Sequence, residues 1–396
     1  MMRLVARARR SRAKLPRRRR ERAALFDRAV AEFFMRLALR EARRGLGRTS
    51  PNPAVGAVLV KRGRVVGRGH HARAGAPHAE VAAIRDAGAR ARGADLYTTL
   101  EPCDHFGRTP PCSLAILEAG VRRVYSGSSD PNPRVNGRGI RRLRRAGVEV
   151  ETGLLREDCD GLNETWFRYI QSGRPHVTLK VAATLDGRIA TSAGDSRWVT
   201  GAPARALVHR LRDAADAVLV GSGTARADDP RLTTRIPGKR GRDPIRVVLD
   251  SRLELPPDLR LFRQRSEAPT LVAHVSGTPP AKLPRGVEYL RCKARRGRVD
   301  LADLLARLGR RGVTTVLAEG GAEVARSLLE GGQVDRLMLF LAPKLAGGGL
   351  SWLPGTGPAR MADALALHDL EVRRVGRDLL LTCRPAPKGD RTPRVD

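Results

Sequence analysis

Along the chain, the first amphipathic stretch is Arg28 to Arg44, where Phe33, Phe34, Leu37 and Leu39 are apolar and Gly45 and Gly47 close a predicted helix. The pattern then changes. Ala54–Val60 and Val65–Gly69 read as strands around the turn Lys61-Arg62-Gly63-Arg64. A helix over Ala79–Ala87, a strand over Asp95–Leu100 and a helix over Cys112–Ala119 follow. A strand over Val121–Ser126, a helix over Gly139–Arg145 and a strand over Val148–Glu151 end the series. This pattern predicts a layered α/β domain over residues 31–152. A helical connector over residues 153–175, with its helix at Glu157–Ile170, leads to the turn Ser172-Gly173-Arg174-Pro175. The strand His176–Ala182 then opens a second α/β domain over residues 176–385. Residues 386–396 are polar and read as a disordered tail. No internal repeat is visible.

Composition narrows the function classes. The 396 residues are 41 % apolar, enough for two cores, but only 4 % aromatic, too few for base-stacking platforms. No run approaches the roughly 18 apolar residues of a membrane span. Five cysteines, an odd number, make no disulfide framework, so clustered thiols read as metal ligands in a reducing, cytoplasmic compartment. The net charge of +34 suggests nucleic acid at first sight. Twelve Lys and Arg fall in residues 1–30, against only Glu21 and Asp27, which leaves +24 spread over 366 residues. Residues 1–30 therefore read as a basic, disordered extension. The remaining charge reads as a solvated Arg-rich surface, compatible with an anionic small-molecule substrate and unfavourable to a dedicated nucleic-acid binder.

Chemistry concentrates in His78-Ala79-Glu80, Glu101-Pro102-Cys103 and Cys112. One imidazole and two thiolates offer three zinc ligands and leave a fourth position for water, as catalytic zinc requires. Glu80, two residues from His78, can shuttle the proton. Cys112 opens a predicted helix, where unpaired amides favour a thiolate. His105 lies between the cysteines as a rival ligand or a loop or substrate contact. The pattern resembles the H-x-E … P-C-x-x-C signature of zinc nucleobase deaminases, with eight residues instead of two between the cysteines.

The wide spacing points further. Pro51-Asn52-Pro53-Ala54-Val55-Gly56, Gly69-His70-His71-Ala72-Arg73-Ala74-Gly75, His78-Ala79-Glu80-Val81 and the stretch from Glu101 to Cys112 resemble the deaminase half of the bifunctional riboflavin-biosynthesis deaminase/reductase family. Asp130-Pro131-Asn132-Pro133 and Gly137-Arg138-Gly139 continue the likeness. The resemblance implies a cytidine-deaminase-like three-layer domain that removes the 2-amino group of a phosphoribosylaminopyrimidine. It assigns zinc to His78, Cys103 and Cys112, and proton transfer to Glu80. Asn52 and His71 would contact the pyrimidine, and Arg108 and Thr109 would lie near the phosphate. The alternative readings are a turn for Asn52, between two prolines, and a helix cap for Thr109.

In the second domain, the strand Ala217–Val220 runs into Gly221-Ser222-Gly223-Thr224, and Val313–Ala318 runs into Glu319-Gly320-Gly321 before a helix over Ala322–Leu329. Glycines between strand and helix let amides approach a phosphate, but the three-glycine dinucleotide fingerprint is absent. Leu179 to Ala190, Ser196-Arg197-Trp198-Val199-Thr200, Ala227-Asp228-Asp229-Pro230 and Val248-Leu249-Asp250-Ser251 resemble the family's reductase half. A dihydrofolate-reductase-like α/β fold is thereby implied, reducing ribosylamino to ribitylamino with NADPH. By position Ala183, Trp198, Thr224, Asp228, Ser251 and Gly321, Ala322, Glu323, Val324, Ala325, Arg326 and Ser327 would contact NADPH. Ser196, Leu232, Arg235 and Glu319 would contact substrate, and Lys180 and Asp186 would assist proton steps. A purely structural partner for Lys180 and a core position for Trp198 are the alternatives. The family also suggests a homo-oligomer. A silent reductase domain and an RNA-acting deaminase are the competing functional readings.

Overall fold

The computed structural model describes residues 17–386 except Arg108, Arg134, 281–283 and Thr356, with backbone alone for 17–26. Residues 1–16 of the basic extension and 387–396 of the tail lie outside the described residues. The chain divides into two compact units at Phe167/Arg168.

Unit 1 opens with α1 (Arg17–Arg43), which begins well before the expected start at Arg28. The latter part of the segment read as disordered is therefore helical. One face of α1 supplies Ala31, Phe34, Met35, Ala38 and Leu39 to the core, while Phe33 is 54 % exposed. The elements that follow are β1 (Gly56–Lys61), β2 (Arg64–His70), α2 (Ala79–Ala87), β3 (Asp95–Leu100) and α3 (Cys112–Glu118). Then come β4 (Arg123–Ser128), α4 (Arg138–Arg145) and β5 (Glu149–Thr152). The five-stranded sheet has the order β2-β1-β3-β4-β5, antiparallel at β2, β1 and β3 and parallel beyond. Gly69 in β2 lets α2 lie flush on the sheet, since a Cβ there would sit 2.3 Å from the Ala79 carbonyl oxygen.

The connector is not one helix. It forms α5 (Arg156–Leu162) and α6 (Glu164–Ser172), interrupted at Asn163. The buried Asn163 amide donates to the Ala54 carbonyl and accepts from the Ala54 amide, both at 2.9 Å. A side chain committed to pairing strand-like backbone outweighs helical continuity. α5 thus belongs to unit 1, and its Cys159 is core.

Unit 2 contains β6 (His176–Thr184), β7 (Arg188–Ala190), α7 (Ala202–Ala214), β8 (Ala217–Gly221) and α8 (Ser222–Asp228). β9 (Ile245–Leu249), β10 (Thr270–His274), β11 (Val287–Arg291), β12 (Ala294–Arg295), β13 (Arg298–Val299) and α9 (Leu301–Arg310) follow. The last elements are β14 (Thr315–Ala318), α10 (Ala322–Glu330), β15 (Arg336–Ala342), β16 (Leu350–Ser351), β17 (Leu367–Val375) and β18 (Asp378–Pro385). The nine-stranded sheet runs β11-β10-β9-β8-β14-β6-β15-β18-β17. It is parallel from β11 through β15, and β18 and β17 extend it antiparallel. Ala318 of β14 pairs with Leu179 of β6, so Glu319 and Lys180 follow at one level of the central sheet. Among the described residues no helix is long and apolar enough to cross a membrane.

Candidate active sites

In unit 1, His78 is the N-cap of α2, Glu80 lies in its first turn and Cys112 begins α3. Cys103 stands on the segment leaving β3. His78 Nδ1 is 3.2 Å from Cys112 Sγ and 3.5 Å from Cys103 Sγ, and the three ligand atoms lie within 4.8 Å of one another. A tetrahedral ion with Zn–N of about 2.0 Å and Zn–S of about 2.3 Å holds N and S about 3.5 Å apart, so the spacing suits zinc. The charge state agrees. The Cys112 thiol and the His78 ring hold Cys103 as a thiolate well below the usual thiol range, while the hydrogen bond to Cys103 and burial push Cys112 up. A cation held at the centre would remove that conflict and let both sulfurs ionise. His105 is not part of the trio.

Glu80 is 3 % exposed, with Oε2 3.4 Å from Cys112 Sγ and Oε1 3.5 Å from the Thr98 hydroxyl that donates to it. Burial pushes its carboxyl up, as a proton carrier requires. His71 is buried and its pKa lowered by that burial, which keeps the ring neutral. Its Nδ1 donates to the Pro77 carbonyl at 3.1 Å, so its Nε2 accepts from Asn52 Nδ2 at 3.1 Å. The His71 ring stands edge-on to His78, with centroids 5.3 Å apart. Thr109 Oγ1 is 3.5 Å from His78 Nε2, and Arg108 lies outside the described residues. The turn that carries Asn52 and the metal trio therefore meet through His71.

α4 carries no ligand but shapes the cysteine loops. Gly139 permits its approach, because a Cβ there would sit 1.9 Å from the Pro102 carbonyl oxygen. Amides of Asp130, Gly137 and Ile140 face the Glu101 carboxylate, although burial still pushes its pKa up.

In unit 2, the half-buried Arg212 forms a two-pronged ion pair with Glu319, Nε to Oε1 at 2.6 Å and Nη2 to Oε2 at 2.8 Å. Sequence reading missed Arg212. Its signal was position, since it continues on α7 the stripe of buried Ala204 and Val208 at four-residue spacing. Burial lowers the Lys180 pKa against the pull of Glu319 and Asp228, with Arg212 lowering it further. Arg235 stands beside this group, its amide donating to His209 Nδ1 at 3.2 Å. Leu232 is buried at 2 % exposure.

The two glycine turns adjoin one another. A Cβ on Gly321 would be 3.1 Å from Thr224 Oγ1, and one on Gly221 would be 2.8 Å from Val324. The N-termini of α8 and α10 therefore open side by side at the ends of β8 and β14, an arrangement suited to a diphosphate. Ala322, Val324 and Ala325 point into the core, and Glu323 pairs with Arg298 and Arg326. Only the backbone of those core residues is left for a ligand. Ala183 is likewise fully buried on β6, and Ser251 Oγ accepts from the Val299 amide at 3.2 Å.

Trp198 is not core. It is 63 % exposed, with the Arg205 guanidinium 4.5 Å from its ring centroid, and it borders with Arg205, Lys344 and Arg377 a cleft of about 610 Å³. Ser196 shares its loop. Asp186 is engaged elsewhere. It accepts from the Thr184 hydroxyl at 2.5 Å and the Gly347 amide at 2.7 Å, with the Ala346 amide beside it, and these bonds hold its pKa at about 2. This carboxylate clamps a loop, and its bonds do not join it to Lys180.

The cytidine and deoxycytidylate deaminase zinc-binding region matches residues 28–128, and the RibD C-terminal domain matches residues 175–381. The riboflavin biosynthesis protein RibD of Actinobacillus pleuropneumoniae is 46 % identical over 354 residues, covering 88 % of this chain and 93 % of that protein. The RibD of Escherichia coli is 42 % identical over 364 residues, covering 88 % and 98 %. Among solved structures, Acinetobacter baumannii RibD superposes with a TM-score of 0.83 at 36 % identity, covering 91 % of this chain and 99 % of that one. A Thermotoga maritima diaminohydroxyphosphoribosylaminopyrimidine deaminase/5-amino-6-(5-phosphoribosylamino)uracil reductase gives 0.81 at 38 %, covering 91 % and 100 %. With both domain types on one chain and relatives matched over nearly their full length, this chain belongs to the RibD family of riboflavin biosynthesis, a zinc deaminase and a reductase in a single polypeptide.

Proposed function

We propose that unit 1 hydrolyses the 2-amino group of 2,5-diamino-6-(5-phosphoribosylamino)pyrimidin-4(3H)-one, and that unit 2 reduces the product's ribosyl group with NADPH to 5-amino-6-(5-phosphoribitylamino)uracil. The observation that carries this reading is the converging trio of His78, Cys103 and Cys112 with the buried Glu80 beside it. His78, Cys103 and Cys112 would hold zinc, which would supply the Lewis acidity that makes water a nucleophile near neutral pH. Glu80 Oε2 takes the water's proton and returns it to the departing amine, so that C2 gains oxygen and ammonia leaves. Asn52, its Nδ2 engaged by His71, offers its amide oxygen to the pyrimidine. Thr109 and Arg108 lie on the loop that would meet the phosphate.

In unit 2, opening of the sugar to its imine moves a proton from nitrogen to the ring oxygen. NADPH, when bound, would supply the hydride that C1′ takes up, and a proton would go to the nitrogen. Lys180 Nζ is the proton carrier, with Glu319 and Arg212 setting its charge state. The paired amides at Thr224 and Gly321 to Glu323 would cradle the diphosphate, and Trp198, Asp228 and Ser251 would contact the rest of NADPH. Arg235 suits the substrate phosphate, with Ser196 and Leu232 beside the sugar. Five buried free thiols fit a reducing cytoplasm. The chain acts as a homo-oligomer, which we assign to the exposed edge at β17.

Product mass analysis tests the reading. Diaminopyrimidine phosphoriboside given to zinc-loaded protein should exchange amine for oxygen without NADPH and gain two hydrogens with it. Glu80→Gln should keep its zinc and lose deamination by about 10²–10⁴-fold. Absence of deamination by loaded wild type overturns the first assignment, and a halt at the deaminated product despite NADPH overturns the second.

A further inference from the structure

The two zinc-bearing thiolates come from separate segments, and neither segment is held by the metal alone. Asp104 directly follows Cys103, and Ser113 directly follows Cys112. The fully buried Ser113 hydroxyl donates to Asp104 Oδ1 at 2.5 Å, and the Ser113 amide donates to the Cys103 carbonyl at 3.1 Å. The same Asp104 oxygen meets Arg142 Nε of α4 at 2.6 Å, with Asp104 only 12 % exposed. Asp104 is also the only acid among the residues that line a cleft of about 540 Å³ with Arg138, Arg141, Arg142 and Arg145.

We propose that Asp104 is a positioning residue for the metal centre: with Ser113 and Arg142 it cross-braces the two cysteine segments from outside and fixes the separation of their sulfurs. The inference rests on the zinc reading of the trio and extends it to residues that touch no metal. Asp104 and Ser113 are each one peptide unit from a ligand, so a shift of the bond between them moves a sulfur directly. Groups that orient metal ligands from behind typically carry 10–100-fold in metal affinity. Arg142 supplies the counter-charge that anchors the nearly buried carboxylate from α4. Ser113 supplies direction. Gly139 lets α4 come close enough for Arg142 to reach.

The test uses the full chain and needs no substrate. Zinc transfer to a chromogenic chelator is timed for wild type, Asp104→Ala, Asp104→Asn, Ser113→Ala and the Asp104→Ala/Ser113→Ala double variant, and the cobalt-substituted proteins give thiolate–metal absorption bands. Asp104→Ala and Ser113→Ala should each lose zinc about 10–100-fold faster and shift the cobalt bands. Asp104→Asn, which can still accept from Ser113 without pairing Arg142, should fall between. The double variant should be no worse than the worse single one, because the two groups form one bond. The rise in Tm on adding zinc should shrink more than the apo Tm falls. Wild-type release rates and bands in both single variants, or equal losses of Tm with and without zinc, overturn the brace. A wild type that binds no zinc overturns the trio itself, a separate result.

Discussion

Lys180 and Glu319 show how burial and neighbouring charge divide the work at single positions. Glu319 stays ionised although burial opposes it, because Arg212 clasps both its oxygens. Burial lowers Lys180, and Glu319 and Asp228 partly restore it. An ammonium that must donate is lost as pH rises through its pKa. The NADPH-dependent rate should therefore fall on the alkaline side, below the ordinary lysine value. Glu319→Gln removes a negative charge that raises the Lys180 pKa, so its limb should move to still lower pH. Single-turnover NADPH oxidation across pH decides this, and a limb unmoved by Glu319→Gln removes Lys180 from the role. The trio that could hold a metal was legible because each member stands in a short local pattern, His-x-Glu at a helix start or Pro-Cys. Arg212 was not, since one arginine among many carries no signal until its place on a buried stripe is known. Nor does sequence spacing reveal that the Asp186 carboxylate accepts from the amides of Ala346 and Gly347.

Elements follow the same division between local and distant causes. α2 and β3 have the bounds that periodicity predicts, because their apolar faces repeat cleanly over the whole length. The connector does not, because Asn163 bonds a residue 109 positions away. The nine-strand order was not readable either, as it depends on pairings between distant segments. β17 closes one side of that sheet with Leu367 47 %, Leu370 59 % and Val372 59 % exposed. An edge strand with apolar residues on show invites pairing with another chain. Replacing Leu370 and Val372 together by Glu should lower the mass seen by analytical ultracentrifugation to that of one chain. A wild type already monomeric, or a variant with unchanged mass, sinks the assignment.

On the scale of the whole molecule, the two chemistries stand on separate sheets with separate cores. Stripping zinc with a chelator should therefore abolish deamination while leaving at least most of the NADPH-dependent reduction of pre-formed deaminated substrate. Spectrophotometric NADPH consumption on that substrate before and after chelation reads it, and a parallel loss of both activities would contradict the separation. Surface arginines pair with carboxylates, as in Arg122–Asp95, Arg123–Glu149, Arg298–Glu323 and Arg311–Glu288, and the net charge of +34 is the excess of Lys and Arg over Asp and Glu.

The level pairing of β14 with β6 carries a consequence for how this chain can change over generations. β6 alternates Val177, Leu179, Val181 and Ala183 on one face with His176, Thr178, Lys180 and Thr184 on the other. A one-residue insertion or deletion before Lys180 would therefore turn its ammonium to the opposite side of the sheet and drive the polar set into the core in the same step. Length in this strand is thus policed by chemistry and stability together, and natural or engineered variation there should appear as substitutions with the spacing kept.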